Sequence, residues 1–216
     1  MEIWRSHGDE LSVALVLGNL ALIDRDEGDL ASAAARLHEA IRIRHALGDR
    51  QREAWLLRNL ALVACEEGDL AEARRLVDEA LRLATDLGDR HEEATALADA
   101  GSVACAAGDC RTAGDLLRRA LDLAAAIRSD ILVAASLEGL AGVAEGTGEG
   151  RRAALLLGGA ERIRERAGFR RWAADDRRLQ QQVGPARDEL GLDEWAAAVG
   201  EGRSLETEAL LQEARG

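Results

Sequence analysis

The chain has 216 residues, 47% of them hydrophobic, so a core can form, but only 2% are aromatic and alanine and leucine must supply most of the buried surface. All 28 basic residues are arginine against 40 acidic ones, and a net charge of -12 excludes a face that grips a phosphate backbone. Three cysteines without CxxC spacing exclude a disulfide framework and a cysteine zinc site, and no run of about 18 uncharged apolar residues exists to cross a membrane.

With one proline and an excess of strong helix formers, the chain is expected to be all-α. Residues 1–10, MEIWRSHGDE, carry no apolar run and so no secretory signal, which favours a cytoplasmic location. They read as the last turn of a second helix, with Trp4 on it and Gly8-Asp9 as its exit. On that reading the array begins mid-repeat and the chain is a piece of a longer protein.

From there a grid runs through the chain. Glycines stand at Gly8, Gly28, Gly48, Gly68, Gly88, Gly108, Gly148 and Gly168, with Arg128 in the one vacant place. Gly28-Asp29, Gly68-Asp69 and Gly108-Asp109 form one series, continued by Gly148-Glu149. Gly8-Asp9, Gly48-Asp49 and Gly88-Asp89 form a second, continued by Ser129-Asp130. Glycine ends a helix in the left-handed conformation without a Cβ penalty, and aspartate offers a side-chain oxygen to start the next. Each interval leaves about 15–17 residues of helix, roughly 23–25 Å. The true period is two intervals, one helix pair.

Columns at that period are small or leucine. Ala33, Ala73, Ala113 and Ala153 form one, and Ala40, Ala80, Ala120 and Ala160 another. Ala21, Ala61, Gly101 and Ala141 form a third, beside Leu20, Leu60, Ala100 and Leu140. Cys65 and Cys105 share a slot and read as small helix-face residues. Small residues two helical turns apart let paired helices approach closely.

A helix pair with Leu-Ala in its first helix, a Gly-Asp turn and this alanine spacing resembles the tetratricopeptide repeat over residues 11–168. The unit is longer than the usual one of about 34 residues, as in the variants with an LGD connection found in kinesin light chains and bacterial regulators. The resemblance implies a right-handed α-solenoid of about four 40-residue helix pairs, residues 1–168, with a helical C-terminal cap, residues 169–216.

It also implies a binding site, because first helices in this family line a concave groove. The series Asn19, Asn59 and Asp99, with Gly139 fourth, falls there. Its neighbour is Gly18, Arg58, Ala98 and Glu138, and one turn earlier stand Leu15, Trp55, Thr95 and Ala135. In long-unit relatives an asparagine before Leu-Ala is associated with holding a bound peptide's backbone. GNLAL and RNLAL match that pattern, whereas DAGSV and EGLAG do not. An amide pairs with any extended main chain, a tryptophan stacks, and an arginine takes a carboxylate. The candidate site is therefore Asn19, Trp55, Arg58, Asn59, Asp99 and Glu138, for a protein or peptide ligand or a small effector.

Beyond Gly168 the grid stops. Trp172 to Val183 reads as a polar helix with Trp172, Leu179 and Val183 on one side, which Gly184-Pro185 bends or ends. Asp193 is placed to cap EWAAAVGEG, and Ser204 to cap a final helix through Ala214. The stretches RAALLLGGAERIRERAG and ARDELGLDEWAAAVGEGRSLETEALLQEA are similar to the C-terminal region of LuxR- and MalT-type bacterial regulators. That resemblance implies a sensor or scaffold role beside ATPase and DNA-binding segments carried elsewhere, since no phosphate-binding loop occurs in this lysine-free chain. The alternative is a free-standing adaptor that assembles protein complexes. The four histidines, His7, His38, His45 and His91, are scattered, no nucleophile motif occurs, and no enzyme activity, cofactor or metal is expected.

Overall fold

Gly28 shows how each dipeptide works. Its φ is 87°, its N–H donates to Arg25 O at 3.1 Å, and the Asp29 N–H reaches back to Asp24 O at 2.8 Å. That closes the exit of one helix. The Asp29 carboxylate then accepts from the Ser32 N–H at 3.1 Å and opens the next. Asp9, Asp49, Asp69, Asp89 and Asp109 make the same bond to Ser12, Arg52, Glu72, Glu92 and Thr112. Ser129 and Glu149, where the grid departs from aspartate, make none.

These turns delimit the helices of the computed structural model, which describes residues 9–216. Among the described residues there are eleven helices and no strand. They are α1 (Glu10–Glu27), α2 (Leu30–Ala46), α3 (Arg50–Glu67), α4 (Leu70–Leu87), α5 (Arg90–Ala106), α6 (Cys110–Ala126), α7 (Asp130–Gly146), α8 (Gly150–Ala167), α9 (Ala173–Leu190), α10 (Leu192–Ser204) and α11 (Thr207–Arg215). The expectation for Met1–Gly8, with Trp4 and His7, lies outside the described residues. None of the described helices is long and apolar enough to cross a membrane.

Contacts cluster into two compact units, Met1–Asp99 and Ala100–Gly216, and the division falls within α5. In the first unit α1 packs on α2, α2 on α3, and α3 on α4, with α1 also touching α3. In the second unit α6 packs on α7 and α7 on α8. There α9 lies on both α7 and α8, while α10 and α11 pack on α8. The C-terminal helices thus share one unit with the last repeats.

The alanine columns are the core of this packing. All eight alanines of the Ala33 and Ala40 columns are 0% exposed. Leu37, Val77, Leu117 and Leu157, also one period apart, fill the space beside them and are buried. Leu117 explains two departures from the repeat pattern. A Cβ on Gly101 would meet its Cγ at 2.5 Å, and one on Gly139 its Cδ2 at 2.4 Å. DAGSV and EGLAG give up the usual residue because a leucine occupies the place.

The C-terminal helices differ from expectation in three places. Helix α9 continues through Pro185 to Leu190. Leu179, Val183 and Ala186 are buried on both sides of the proline, and that burial outweighs the hydrogen bond it omits. Trp172 does not join Leu179 and Val183 in the core; it stands before α9 as an exposed N-cap residue. Asp193 lies inside the first turn of α10, behind Gly191, and Ser204 closes α10 by donating its hydroxyl to Gly200 O at 2.9 Å. The final helix starts at Thr207 with no side-chain cap.

Candidate partner-binding residues

In the first unit the candidate residues fall on α1, α3 and α5. Asn19 on α1 is exposed. Its neighbour Gly18 is buried because the Trp55 indole of α3 lies against it, and a Cβ there would meet Cζ3 at 3.0 Å. Trp55 is half-buried, one side against α1. Asn59 is buried, and its amide donates to Trp55 O of its own helix at 2.8 Å. The two asparagines of the pattern therefore stand in different environments. Asn19 offers its amide to solvent; Asn59 spends a donor on the backbone that carries Trp55.

Arg58 is the most constrained member. Its Nε donates to Glu92 Oε1 at 2.9 Å and its Nη1 to Asp99 Oδ2 at 2.6 Å, with the side chain 12% exposed. Burial acts to lower its pKa, but the Asp99 and Glu92 carboxylates outweigh that and hold it above the ordinary arginine value. Arg58 and Asp99 bind each other, and so tie α3 to α5. Arg25 does the same one repeat earlier, tying α1 to α3 through Nε to Glu66 Oε1 at 2.8 Å. Both pairs have a sequence separation of 41 residues, one more than the repeat. Opposite charges one residue off the period are the signal that would have found them.

In the second unit Glu138 of α7 is buried and doubly engaged. Arg164 of α8 donates to it from Nε at 2.5 Å and from Nη2 at 2.8 Å. Arg171, in the connector before α9, donates from Nη1 at 2.6 Å. Burial pulls the Arg171 pKa down, and Glu138 followed by Asp176 raises it past its ordinary value. Gly139, the fourth member of the asparagine column, is the seat of Leu117.

Among the described residues no group of three or more His, Cys, Asp or Glu side chains is arranged to hold a metal ion. His45 Nδ1 lies 2.8 Å from Glu53 Oε1, an exposed imidazole against a buried carboxylate.

The packing of helix pairs around alanine columns agrees with a comparison at the family level. The model of the tetratricopeptide repeat matches residues 12–86 and again residues 52–126. The chain belongs to the tetratricopeptide repeat family. The two matches are offset by one 40-residue unit and cover α1 to α6. Tetratricopeptide repeats serve protein–protein interaction and scaffolding and are typically non-enzymatic. No curated protein matches the chain.

Proposed function

We propose that this tetratricopeptide chain is a non-enzymatic recognition module of the cytoplasm that meets a protein, a peptide or a small effector on the face of its first helices. In the finer reading it is the sensor or scaffold part of a bacterial LuxR/MalT-type ATPase transcriptional regulator. The observation that carries the binding face is the pairing of Asn19 and Trp55, an exposed amide on α1 beside an indole seated against Gly18 of the same helix. Such a pair recognises an extended main chain through the amide and an apolar side chain through the ring. Arg58, Asp99 and Glu138 take part by holding helices in place, because their charges are already compensated. The resemblance of residues 150–213 to regulator tails supports the finer reading.

The test is affinity capture with wild type and with Asn19→Arg, a substitution at an exposed residue that leaves the melting temperature unchanged. A partner held by wild type and lost by the variant supports the face, and equal capture removes it. If the retained partner is an ATPase or DNA-binding segment, the regulator reading gains. Two partners bridged at once, neither binding nucleotide, support the free-standing adaptor instead.

A further inference from the structure

Helix α1 is apolar on its covered and its open sides alike. Val13, Ala14, Leu17 and Ala21 are buried, yet Leu11, Leu15 and Ile23 are exposed. A helix of that composition is ordinarily buried all round. Val16, Leu20 and Ile23, four and then three residues apart, share one face of it. Val16 and Leu20 are half-buried and Ile23 is 46% exposed. One unit on, the same places on α3 are Leu56, Leu60 and Val63, again all apolar, and there all three are buried, Val63 to 1%.

What differs is the helix pair on top. Helix α2 packs on α3 and α1 touches it, so close that a Cβ on Gly18 of α1 would meet Leu56 Cδ2 at 3.1 Å. Among the described residues no helix pair packs in that way on α1. The charges repeat along with the apolar face. Arg25 of α1 donates from Nε to Glu66 of α3 at 2.8 Å. Glu66 and Glu67 have Asp26 and Glu27 as their counterparts on α1, and Glu27 is exposed. Helix α1 therefore presents the surface that α3 presents, with acids at the same end. A repeat buries such a surface by stacking a neighbour on it. The eight residues before Asp9 supply at most one two-turn helix, about 12 Å long, and cannot form a pair.

We propose that the Val16–Leu20–Ile23 face of α1 docks the open end of another tetratricopeptide array. Its occupant is a helix pair on a separate polypeptide, seated on α1 as α1 and α2 are seated on α3, with an arginine in the place of Arg25. That arginine meets Asp26 and Glu27, and the apolar face closes beneath it. A folded second copy has no such pair to offer. Its own α1 and α2 lie on its α3, and its own last pair carries α9. What it has left is the same face with the same acids, and like charges set against each other disfavour the contact. The proposal goes beyond the Asn19–Trp55 reading and uses neither of those residues.

The probe is a fluorescent peptide of residues 10–49, the helix pair that covers α3, freed from its own array. The receptor is the full chain. Anisotropy reads the affinity, and circular dichroism reads the helix gained on binding. The proposal expects one peptide per chain. It expects the affinity to fall at least about tenfold for Ile23→Arg in the chain and for Arg25→Glu in the peptide, the size of one lost charge-assisted bond. Ile23 is exposed, so the melting temperature of Ile23→Arg should match wild type, and Ile23→Val, which installs the residue of α3, should bind like wild type. A peptide that does not bind overturns the proposal. Equal binding to Ile23→Arg and wild type also overturns it and shows the peptide exchanging for α1 and α2 on α3. Binding lost with Asn19→Arg but kept with Ile23→Arg overturns it and assigns the contact to the Asn19–Trp55 face. A concentration-dependent dimer of the chain, abolished by Ile23→Arg, overturns it in favour of a second copy.

Discussion

Arg128 stands where the grid would have glycine, and its φ of 56° is the one positive value on a non-glycine side chain among the described residues. The turn keeps its hydrogen bonds, Arg128 N–H to Ala125 O at 3.1 Å and Ser129 N–H to Ala124 O at 3.0 Å. The geometry is retained at a steric cost that L-residues bear in this conformation. Arg128→Gly should therefore raise stability by about 0.5–1 kcal/mol, the relief of strain less the extra freedom glycine has when unfolded. Urea unfolding checks it, and an unchanged or lower midpoint would show that the arginine makes good its strain elsewhere. Arg128 was legible from sequence as a gap in a row, because a turn leaves a mark at one fixed position. The roles of Asn19 and Asn59 were not separable that way. They share a column and a motif, and only their neighbours make one exposed and the other buried.

Aspartate caps give the fold its dependence on acid. The Glu92 backbone N–H first, and then the Gln51 amide, hold the Asp89 carboxyl below the usual aspartate range. The bond to the Ser12 hydroxyl leads the causes that lower Asp9, and the bond to the Ser32 hydroxyl leads those that lower Asp29. A carboxylate depressed in the folded state binds protons more weakly than in the unfolded chain. Its contribution is complete above the unfolded value, near 3.9, and is lost as pH falls through the folded value. Urea midpoints should hold steady from neutral pH to about pH 5 and fall below about pH 4. Asp89→Asn keeps a capping side chain but not its charge, so it should lose the carboxylate's contribution at neutral pH and flatten the acid limb. An acid limb as steep as that of wild type would mean that Asp89 is not one of the groups responsible.

At the scale of the element, close approach of helices decides what can be changed. A Cβ on Gly202 of α10 would fall 1.9 Å from Leu155 O of α8, and one on Gly158 of α8 would fall 2.1 Å from Val199 O of α10. Each glycine faces the partner's backbone, which cannot swing aside as a side chain can. Gly202→Ala should destabilise the second unit by about 2–3 kcal/mol, the upper part of the overpacking range, whereas Gly200→Ala, with nothing within 4 Å, should not. Equal melting of the two variants would show that α10 is held less closely than this packing requires. Ala73→Arg, at 0% exposure, tests the repeat columns in the same way and should loosen α4 from its neighbours. The alanine columns were readable because a repeat compares each helix with three others. Helices α9 to α11 occur once, so their starts had to be read from single residues. Ser204 then looks like the start of the last helix when it is the end of α10, and Pro185 looks like a stop although buried neighbours carry the helix across it.

For the whole molecule, helix pairs in series imply that stability is a sum of local terms and nearest-neighbour terms. Arg58→Ala removes a partner from two carboxylates, Glu92 and Asp99, whose side chains are each 12% exposed. Leaving such charges unpaired should cost about 3 kcal/mol, and most of that loss belongs to the stranded acids rather than to the arginine. Arg58→Met with Glu92→Leu and Asp99→Leu should regain much of it, because an apolar contact needs no compensation. Arg58 lies in the first unit and Gly202 in the second, and they share no partner. The double variant Arg58→Ala/Gly202→Ala should then lose the sum of the single losses within about 0.5 kcal/mol. Calorimetry of the four proteins in that cycle reads the coupling directly. Additivity would mean that each unit answers only for its own contacts. A coupling of 1 kcal/mol or more would mean that the two substitutions are felt in common although the residues share no partner.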